Sequence, residues 1–217
     1  TNGRYYICEF KKYSSKWFHN LDHRHRIGHH SRNSPSLHES LRRQQITYME
    51  KKLKETTPSD ASKITELMRS ARHELYVDQL GVYTEHDFLR VYGDKRKEQL
   101  LWVGKLSKAA QNTDKYFSKV LTEGDEFFGF AYGWTVNSKN KVILSKLYVK
   151  VGYSGRGVGS QLMGDFMAWA GSLPIYILVE KSNKNALTFY EKHGFKSTGS
   201  TLTSEGMTSV WLSNTGS

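Results

Sequence analysis

The chain has 217 residues, of which 37% are hydrophobic and 13% aromatic, so it can bury a substantial core and is not globally disordered. Cys8 is its only cysteine, which excludes an intramolecular disulfide and fits a reducing compartment. No apolar run reaches the length of about 18 residues that a membrane span requires, and the first ten residues lack a signal-peptide pattern. We therefore expect a cytoplasmic protein with no membrane partner.

The net charge of +11 is unevenly distributed. Residues 1–45 hold nine Lys and Arg against three Asp and Glu, together with six of the nine histidines. Residues 46–217 hold 23 against 18. A short basic segment can attract nucleic acid, but the same composition is typical of a solvated tail. We predict a basic, His-rich extension over residues 1–45 and a folded domain over residues 46–217.

Hydrophobic periodicity predicts the elements in chain order. Tyr5–Phe10 and Ile46–Glu55 have the pattern of strands, and Thr57–Asp60 begins a helix with Ser59 or Asp60 as its cap. The later predicted elements are helices at 84–92 and 96–110, strands at 116–122, 127–136 and 141–149, a helix ending near 170, a strand at 174–180, a helix at 183–193, and two strands ending near 212. This order indicates an α+β fold, with a mixed, mostly antiparallel sheet of six to seven strands flanked by helices. One strand–helix–strand unit predicts a parallel crossover, which leaves a cleft where ligands commonly bind.

A glycine-rich loop follows the predicted strand at 141–149. Gly155, Gly157 and Gly159 let the backbone turn sharply, and the helix that starts there offers unpaired N–H groups and a positive dipole end. The arrangement suits a phosphate or pyrophosphate, with Arg156 adding charge at the rim. Glycines at such a turn can also be purely structural. The loop lacks the Gly-Lys-Ser/Thr of a P-loop. Glu180 stands at a suitable distance for the acidic residue of a dinucleotide-binding fold, so spacing alone does not exclude that fold, but a loop that follows hairpin-joined strands late in the chain fits it poorly.

A second motif lies one strand further on, between residues 183 and 195. Its pattern is an asparagine helix cap, a helix face with a small residue and two aromatics, and a glycine at the helix end. The positions are Asn183, Ala186, Phe189, Tyr190, Gly194 and Phe195. Together with the glycine loop, this pattern resembles the GNAT superfamily of N-acetyltransferases, whose loop reads Arg/Gln-x-x-Gly-x-Gly/Ala and whose helix reads Asn-x-x-Ala-x-x-Phe-Tyr-x-x-x-Gly-Phe. The resemblance covers about residues 46–212, and its one departure is Ser154 at the Arg/Gln position.

The resemblance implies that acetyl-coenzyme A lies where the strands at 141–149 and 174–180 splay apart. The residues implied in binding this cosubstrate are Leu147, Tyr148, Val149, Ser154, Gly155, Arg156, Gly157, Val158, Gly159, Ser160, Asn183 and Asn185. Backbone groups near Leu147 and Val149 would hold the pantetheine arm and the acetyl carbonyl, and loop N–H groups would hold the pyrophosphate. Asn183 would bond the pantetheine arm, although it could equally serve as a helix cap alone.

Acetyl transfer from a thioester to an amine requires a neutral amine, donors for the oxyanion and a proton for the leaving thiolate. Tyr190 is the predicted acid, and its alternative role is an aromatic on the packed face of its helix. Glu180 is the predicted base, and its alternative is a surface carboxylate. Weaker candidates are Asp125, Glu126, Glu85 and His86.

We therefore predict an acetyl-coenzyme A-dependent N-acetyltransferase that acts on a small-molecule or protein amine, as a monomer or homodimer. The alternative is a nucleic-acid-associated protein in which residues 1–45 bind DNA or RNA. The first 33 residues faintly resemble the start of plasmid mobilisation relaxases, but the match is far shorter than that fold. No metal is expected, because the N-terminal histidines have no Cys-x-x-Cys nearby.

Overall fold

The computed structural model describes residues 51–79, 81–136, 140–204 and 207–215. The predicted N-terminal extension, its strand at Tyr5–Phe10, the domain boundary after residue 45 and most of the turn at 137–140 lie outside the described residues. Among the helices that the structure describes, none is long and apolar enough to cross a membrane.

The first helix is preceded by a short turn whose capping differs from the prediction. Strand β1 is Lys52–Glu55, a 3-10 turn covers Pro58–Asp60, and helix α1 is Ala61–His73. Asp60 stands at the predicted cap position, but its side chain makes no capping bond to α1. The backbone N–H of Thr57 instead donates to its Oδ2 at 2.8 Å, which closes the 3-10 turn. The helix therefore begins after the predicted residue Asp60, but the Asp60 carboxylate closes a separate turn before α1 and does not bond the first turn of the helix.

A π-helical turn, Glu74–Gln79, continues directly from α1 and was not predicted. Helix α2 is Glu85–Tyr92, and helix α3 is Lys95–Gln111. The hydroxyl of Thr84 accepts the backbone N–H of Asp87 at 3.1 Å, which is an N-cap at the predicted helix start.

Within the described residues, seven strands form one mixed sheet in the order β1-β2-β3-β4-β5-β7-β6, which confirms the predicted fold class. The strands after β1 are β2 Tyr116–Glu123, β3 Glu126–Val136, β4 Lys141–Val149, β5 Ile175–Glu180, β6 Lys196–Ser204 and β7 Met207–Ser213. Helix α4, Val158–Ala170, connects β4 to β5, and helix α5, Lys184–Lys192, connects β5 to β6. All neighbouring strands are antiparallel except β4 and β5.

The parallel pair β4–β5 is joined over three residues only. Val142–Leu144 pairs with Ile175–Ile177, and no pairing continues along the C-terminal halves of these two strands. We call the unpaired stretch between residues 145–149 and 178–180 the seam. The predicted splay is therefore present, and it leaves strand-edge backbone groups of β4 and β5 facing a gap in the middle of the sheet.

Two apolar layers cover the sheet, and only one of them backs the seam. Leu144, Leu162 and Ile177 belong to the core beneath α4, which draws residues from both sides of the seam. The core beneath α1 and α3 includes Ile64 and Trp102 but, among the described residues, none from β5, β6 or β7. The gap at the seam is therefore open on the side of α1.

Two glycines of β3 bring α4 close to the sheet. A Cβ on Gly133 would lie 2.5 Å from the Phe166 ring, and one on Gly129 would lie 2.7 Å from Leu162 and Val158. Real Cβ atoms do not approach this closely, so only glycine permits the contact. The close packing fixes the start of α4, and with it the glycine-rich loop, at the end of β4.

Candidate active site

The glycine-rich loop ends at the N-terminus of α4. Gly157 is the N-cap, with φ +81° in the left-handed region, and the first intrahelical bond is donated by the backbone N–H of Gln161 to the carbonyl of Gly157 at 2.9 Å. The N–H groups of the first helical turn precede this bond and have no carbonyl within the helix to reach. They therefore form the positive end of the helix dipole.

Arg156 lies at the outer edge of this loop. Its guanidinium stands 4.9 Å from the centre of the Tyr153 ring, which in turn packs against Phe128 at 4.7 Å between ring centres. The side chain is exposed and does not line the cavity described next. Its predicted role, to add positive charge at the rim of the loop, stays a prediction.

A cavity of about 290 Å³ opens at the seam, and we call it the central cavity. Its wall brings together residues from β4, the glycine loop, α5 and the end of α1. Eight of the predicted residues line it: Leu147, Tyr148, Val149, Ser154, Gly159, Asn183, Asn185 and Tyr190. The predicted residues outside its lining are Gly155, Arg156, Gly157, Val158, Ser160 and Glu180.

Asn183 and Tyr190 both have a structural task as well as a place in the cavity wall. The Asn183 Oδ1 accepts the backbone N–H of Ala186 at 3.0 Å, so the residue caps α5. Tyr190 is 1% exposed, and its ring meets those of Phe189 and Phe195 edge to face. Neither role excludes the other, and the predicted contacts of both residues with a cosubstrate stay predictions.

Glu180 lies apart from the central cavity. It ends β5, is 5% exposed, and its Oε1 accepts a hydrogen bond from the Ser182 hydroxyl at 2.7 Å. The weaker base candidates are also dispersed. Asp125 and Glu126 line a different cavity with Lys63, and Glu85 lies in a groove beside α1.

Glu74 lines the central cavity and was missed by the sequence analysis. Within the described part of the chain, it is the only residue with a charged side chain in that lining. It starts the π-helical turn, where pattern reading predicts nothing, because π turns leave no signature in the sequence. A usable signal existed nonetheless, since Glu74 follows Ala71 by three residues and so continues the inward face of α1.

A buried arginine holds α1 against the cavity wall. Arg72, 5% exposed, donates from Nε to the Tyr148 hydroxyl at 3.2 Å and from Nη1 to Glu98 Oε1 at 2.6 Å, and it lies over the Tyr92 ring. Burial disfavours the charged guanidinium, but the phenol and the carboxylate outweigh this and raise the pKa of Arg72. Arg72 therefore stays charged, and α1 is tied to β4 beside the cavity.

A second cavity of about 560 Å³ adjoins the first, and we call it the side groove. It shares Glu74 and Gln79 with the central cavity. Its other lining residues are Glu66, Arg69, Ser70, His73, Asp78, Glu85, Phe88, Leu89 and Val151. The two cavities therefore meet at the start of the π-helical turn.

His73 bridges two carboxylates in the side groove. Its Nε2 lies 2.7 Å from Glu85 Oε2 and its Nδ1 lies 3.2 Å from Asp78 Oδ2. The hydrogen bond to Glu85 is the main cause that raises the pKa of His73; burial opposes it, and the Asp78 carboxylate adds to the rise. The imidazole therefore clamps the π-helical turn and the start of α2 to α1.

The His73 clamp should stabilise the fold more in mild acid than in base. Because folding raises its pKa above 6.5, the folded chain binds the proton more tightly than the unfolded chain does. The stabilisation is complete below the unfolded value and is lost as the pH rises through the folded value. We expect His73→Gln to lower the free energy of unfolding in urea more at about pH 6 than at about pH 9, by less than about 1 kcal/mol because the pairs are partly exposed. Equal losses at both pH values would contradict this reading.

No group of three or more His, Cys, Asp or Glu side chains that could hold a metal occurs among the described residues. The N-terminal histidines lie outside them.

The fold, the glycine-rich loop and the helix motif at residues 183–195 together define a class of proteins. Comparison with known sequences identifies that class. The profile described as "Acetyltransferase (GNAT) family" matches residues 70–195, so the chain belongs to this family of acetyltransferases. The chain is also 43% identical over 61 residues to an uncharacterised N-acetyltransferase of Mycobacterium tuberculosis. That stretch covers 27% of this chain and 39% of the relative, so the chain spans about two fifths of the curated relative's length.

Solved structures share the fold. The PaiA N-acetyltransferase of Thermoplasma acidophilum, crystallised with coenzyme A, superposes with a TM-score of 0.61 at 20% identity, over 75% of this chain and 98% of that protein. A putative acetyltransferase of Salmonella typhimurium, solved with acetyl-CoA, gives 0.54 at 16% identity, over 76% of this chain and 92% of that one. At these identities the likeness concerns the fold alone.

Proposed function

We propose that the chain transfers the acetyl group of acetyl-coenzyme A to a primary amine. The observation that carries the proposal is the central cavity, which opens at the seam between the glycine-rich loop and α5. A long, narrow thioester suits this place, because unpaired edges of β4 and β5 can bond an amide-containing arm while the loop N–H groups meet a diphosphate. Family membership and the two neighbours solved with coenzyme A or acetyl-CoA support the same reading.

The loop is shaped to accept a diphosphate without help from a long side chain at Ser154. Space for a Cβ is free at Gly155 and Gly157, so their surroundings leave room for a ligand. The resemblance assigns Arg or Gln to position 154, and serine there removes one contact but none of the backbone donors. The backbone of Leu147 and Val149 would orient the pantetheine arm, Asn183 would bond it, and the Tyr190 phenol would give its proton to the leaving sulfur.

Binding of coenzyme A tests this proposal directly. A ligand that binds only the folded chain, at 100 times its dissociation constant, stabilises it by about 2.7 kcal/mol. We expect that gain in urea unfolding with coenzyme A, and thiol release from acetyl-CoA when a panel of primary amines is supplied. A chain that gains no stability and gives no calorimetric signal at saturating coenzyme A would refute the proposed function.

A further inference from the structure

Glu74 stands where the central cavity and the side groove meet. It belongs to the lining of both, and the central cavity contains no other charged side chain among the described residues. Within that same part of the chain, no hydrogen bond or ion pair engages its carboxylate. The carboxylates nearest along the side groove differ, because Asp78 and Glu85 are both bonded to His73.

The two residues before Glu74 are anchored in opposite directions. Arg72 bonds the Tyr148 hydroxyl on β4, on the side of the central cavity. His73 bonds Glu85 at the start of α2, on the side of the side groove. The π-helical turn that begins at Glu74 follows directly after these two anchors. Such turns often mark functional positions, and here the turn places a carboxylate at the junction.

We propose that Glu74 is the general base of the acetyl transfer, and that the acceptor amine enters through the side groove. This inference rests on the proposed function. An ammonium group passes one proton from its nitrogen to a Glu74 carboxylate oxygen, which leaves a neutral amine. The nitrogen lone pair forms the C–N bond to the acetyl carbon, and the C–S bond breaks with its electron pair on sulfur.

Two protons leave the amine nitrogen in the complete reaction, and both have a destination. The first is held by Glu74 and passes to solvent. The second leaves the nitrogen as the amide forms, and it restores to Tyr190 the proton that the phenol has given to the thiolate. The products are the N-acetyl amine, the coenzyme A thiol and one proton in solvent. Glu74 and Tyr190 both line the central cavity, so one site holds the base and the acid.

Glu180, predicted from the sequence as the base, is less well placed for this step. Its Oε1 is bonded to Ser182, and it is absent from the lining of both cavities. A general base needs hydrogen-bond reach to the proton that it removes, directly or through one water molecule. Glu74 lines both cavities and so meets an amine that arrives along the side groove, whereas Glu180 lines neither cavity.

The test compares Glu74→Gln with Glu191→Gln in the full-length chain. Glu191 is an exposed residue of α5 that lines neither cavity, so Glu191→Gln makes the same chemical change outside the proposed site. Acetyl-CoA supplies the acetyl group, and n-butylamine, 1,4-diaminobutane and trifluoroethylamine serve as acceptors. Thiol release gives kcat and KM, and calorimetry gives the affinity for coenzyme A.

We expect Glu74→Gln to lower kcat/KM for n-butylamine and 1,4-diaminobutane by about 100-fold or more, the range of general base catalysis. Glu74→Asp should fall between this variant and the parent. Trifluoroethylamine is weakly basic and already neutral at pH 7, so its rate should fall much less. Coenzyme A affinity should stay within about threefold in every variant, and Glu191→Gln should match the parent.

Three results would overturn the assignment. A Glu74→Gln rate within about threefold of the parent would show that Glu74 is not the base. Equal losses with basic and weakly basic amines would show a structural role. A selective loss in Glu180→Gln would return the role to Glu180. By contrast, a parent chain that neither binds coenzyme A nor releases thiol would refute the proposed function itself.

Discussion

Replacing Tyr190 by phenylalanine should reduce the turnover number by about 100- to 10,000-fold, the usual contribution of a general acid, while coenzyme A affinity remains close to that of the parent. A phenol in water keeps its proton at neutral pH, so it can donate to a sulfur that becomes a thiolate only as the C–S bond breaks. An interaction made mainly in the transition state appears in kcat and not in ground-state binding.

The packing around Tyr190 makes this substitution a clean test. Its ring lies edge to face with Phe189 and Phe195, and phenylalanine keeps both contacts. Tyr116→Phe is the matched control, because Tyr116 pairs with Tyr132 and does not line the central cavity. Steady-state kinetics with the best amine of the panel would measure the effect. A loss smaller than about threefold would mean that Tyr190 only packs and that the thiolate leaves unaided.

Gly157→Glu should weaken coenzyme A binding by at least about 100-fold, which corresponds to about 2.8 kcal/mol. The new carboxylate would stand at the N-terminus of α4, where we place the pyrophosphate. Two like charges 4 Å apart near a protein surface repel by about 4 kcal/mol, so the expected loss is within the reach of this effect alone. No atom lies within 4 Å of a Cβ at this position, so the side chain itself fits.

Because the backbone at Gly157 is left-handed, a side chain there also lowers the stability of the fold. A substitution at a second left-handed glycine controls for that loss. A non-glycine residue in that conformation costs about 1–2 kcal/mol of stability. Gly194 has a φ of +85°, close to the +81° of Gly157, and equally open surroundings. It follows the C-terminal end of α5 and does not line the central cavity. Gly194→Glu should therefore lose similar stability and keep coenzyme A affinity in calorimetry. Affinity in Gly157→Glu within about twofold of the parent would place the pyrophosphate elsewhere.

The sequence predicted the elements whose signals are local. The strand at Lys141–Val149 was predicted with its observed bounds, and α2, at Glu85–Tyr92, lies within one residue of the helix predicted over 84–92. The parallel crossover followed from the order of the elements, because a strand, a helix and a second strand can be joined in few ways. The family resemblance implied that residues from distant motifs, such as Val149 and Asn183, share one site, and both line the central cavity.

The sequence analysis could not reach what tertiary contacts decide. Glu180 stands one strand from the loop in the sequence; in the structure its Oε1 accepts the Ser182 hydroxyl and it is absent from the lining of the central cavity, so its role as base stays a prediction. Glu74 carries no motif, and its position depends on Arg72 and His73 being held by residues far along the chain. Contacts of that kind depend on the assembled fold; the spacing of three residues after Ala71 indicates only that Glu74 continues the inward face of α1.

The seam has a mechanical consequence. The sheet consists of two halves, β1–β4 and β5–β7. Three residue pairs of β4 and β5 join the halves, and the core beneath α4 packs against both of them on one face. A molecule that forms hydrogen bonds with the free strand edge of each half would connect the two halves across the seam. Part of its binding energy would then go into fixing the two halves of the sheet relative to each other. The half that contains β5, α5, β6 and β7 also carries Tyr190, so its position relative to β4 sets where the predicted acid stands.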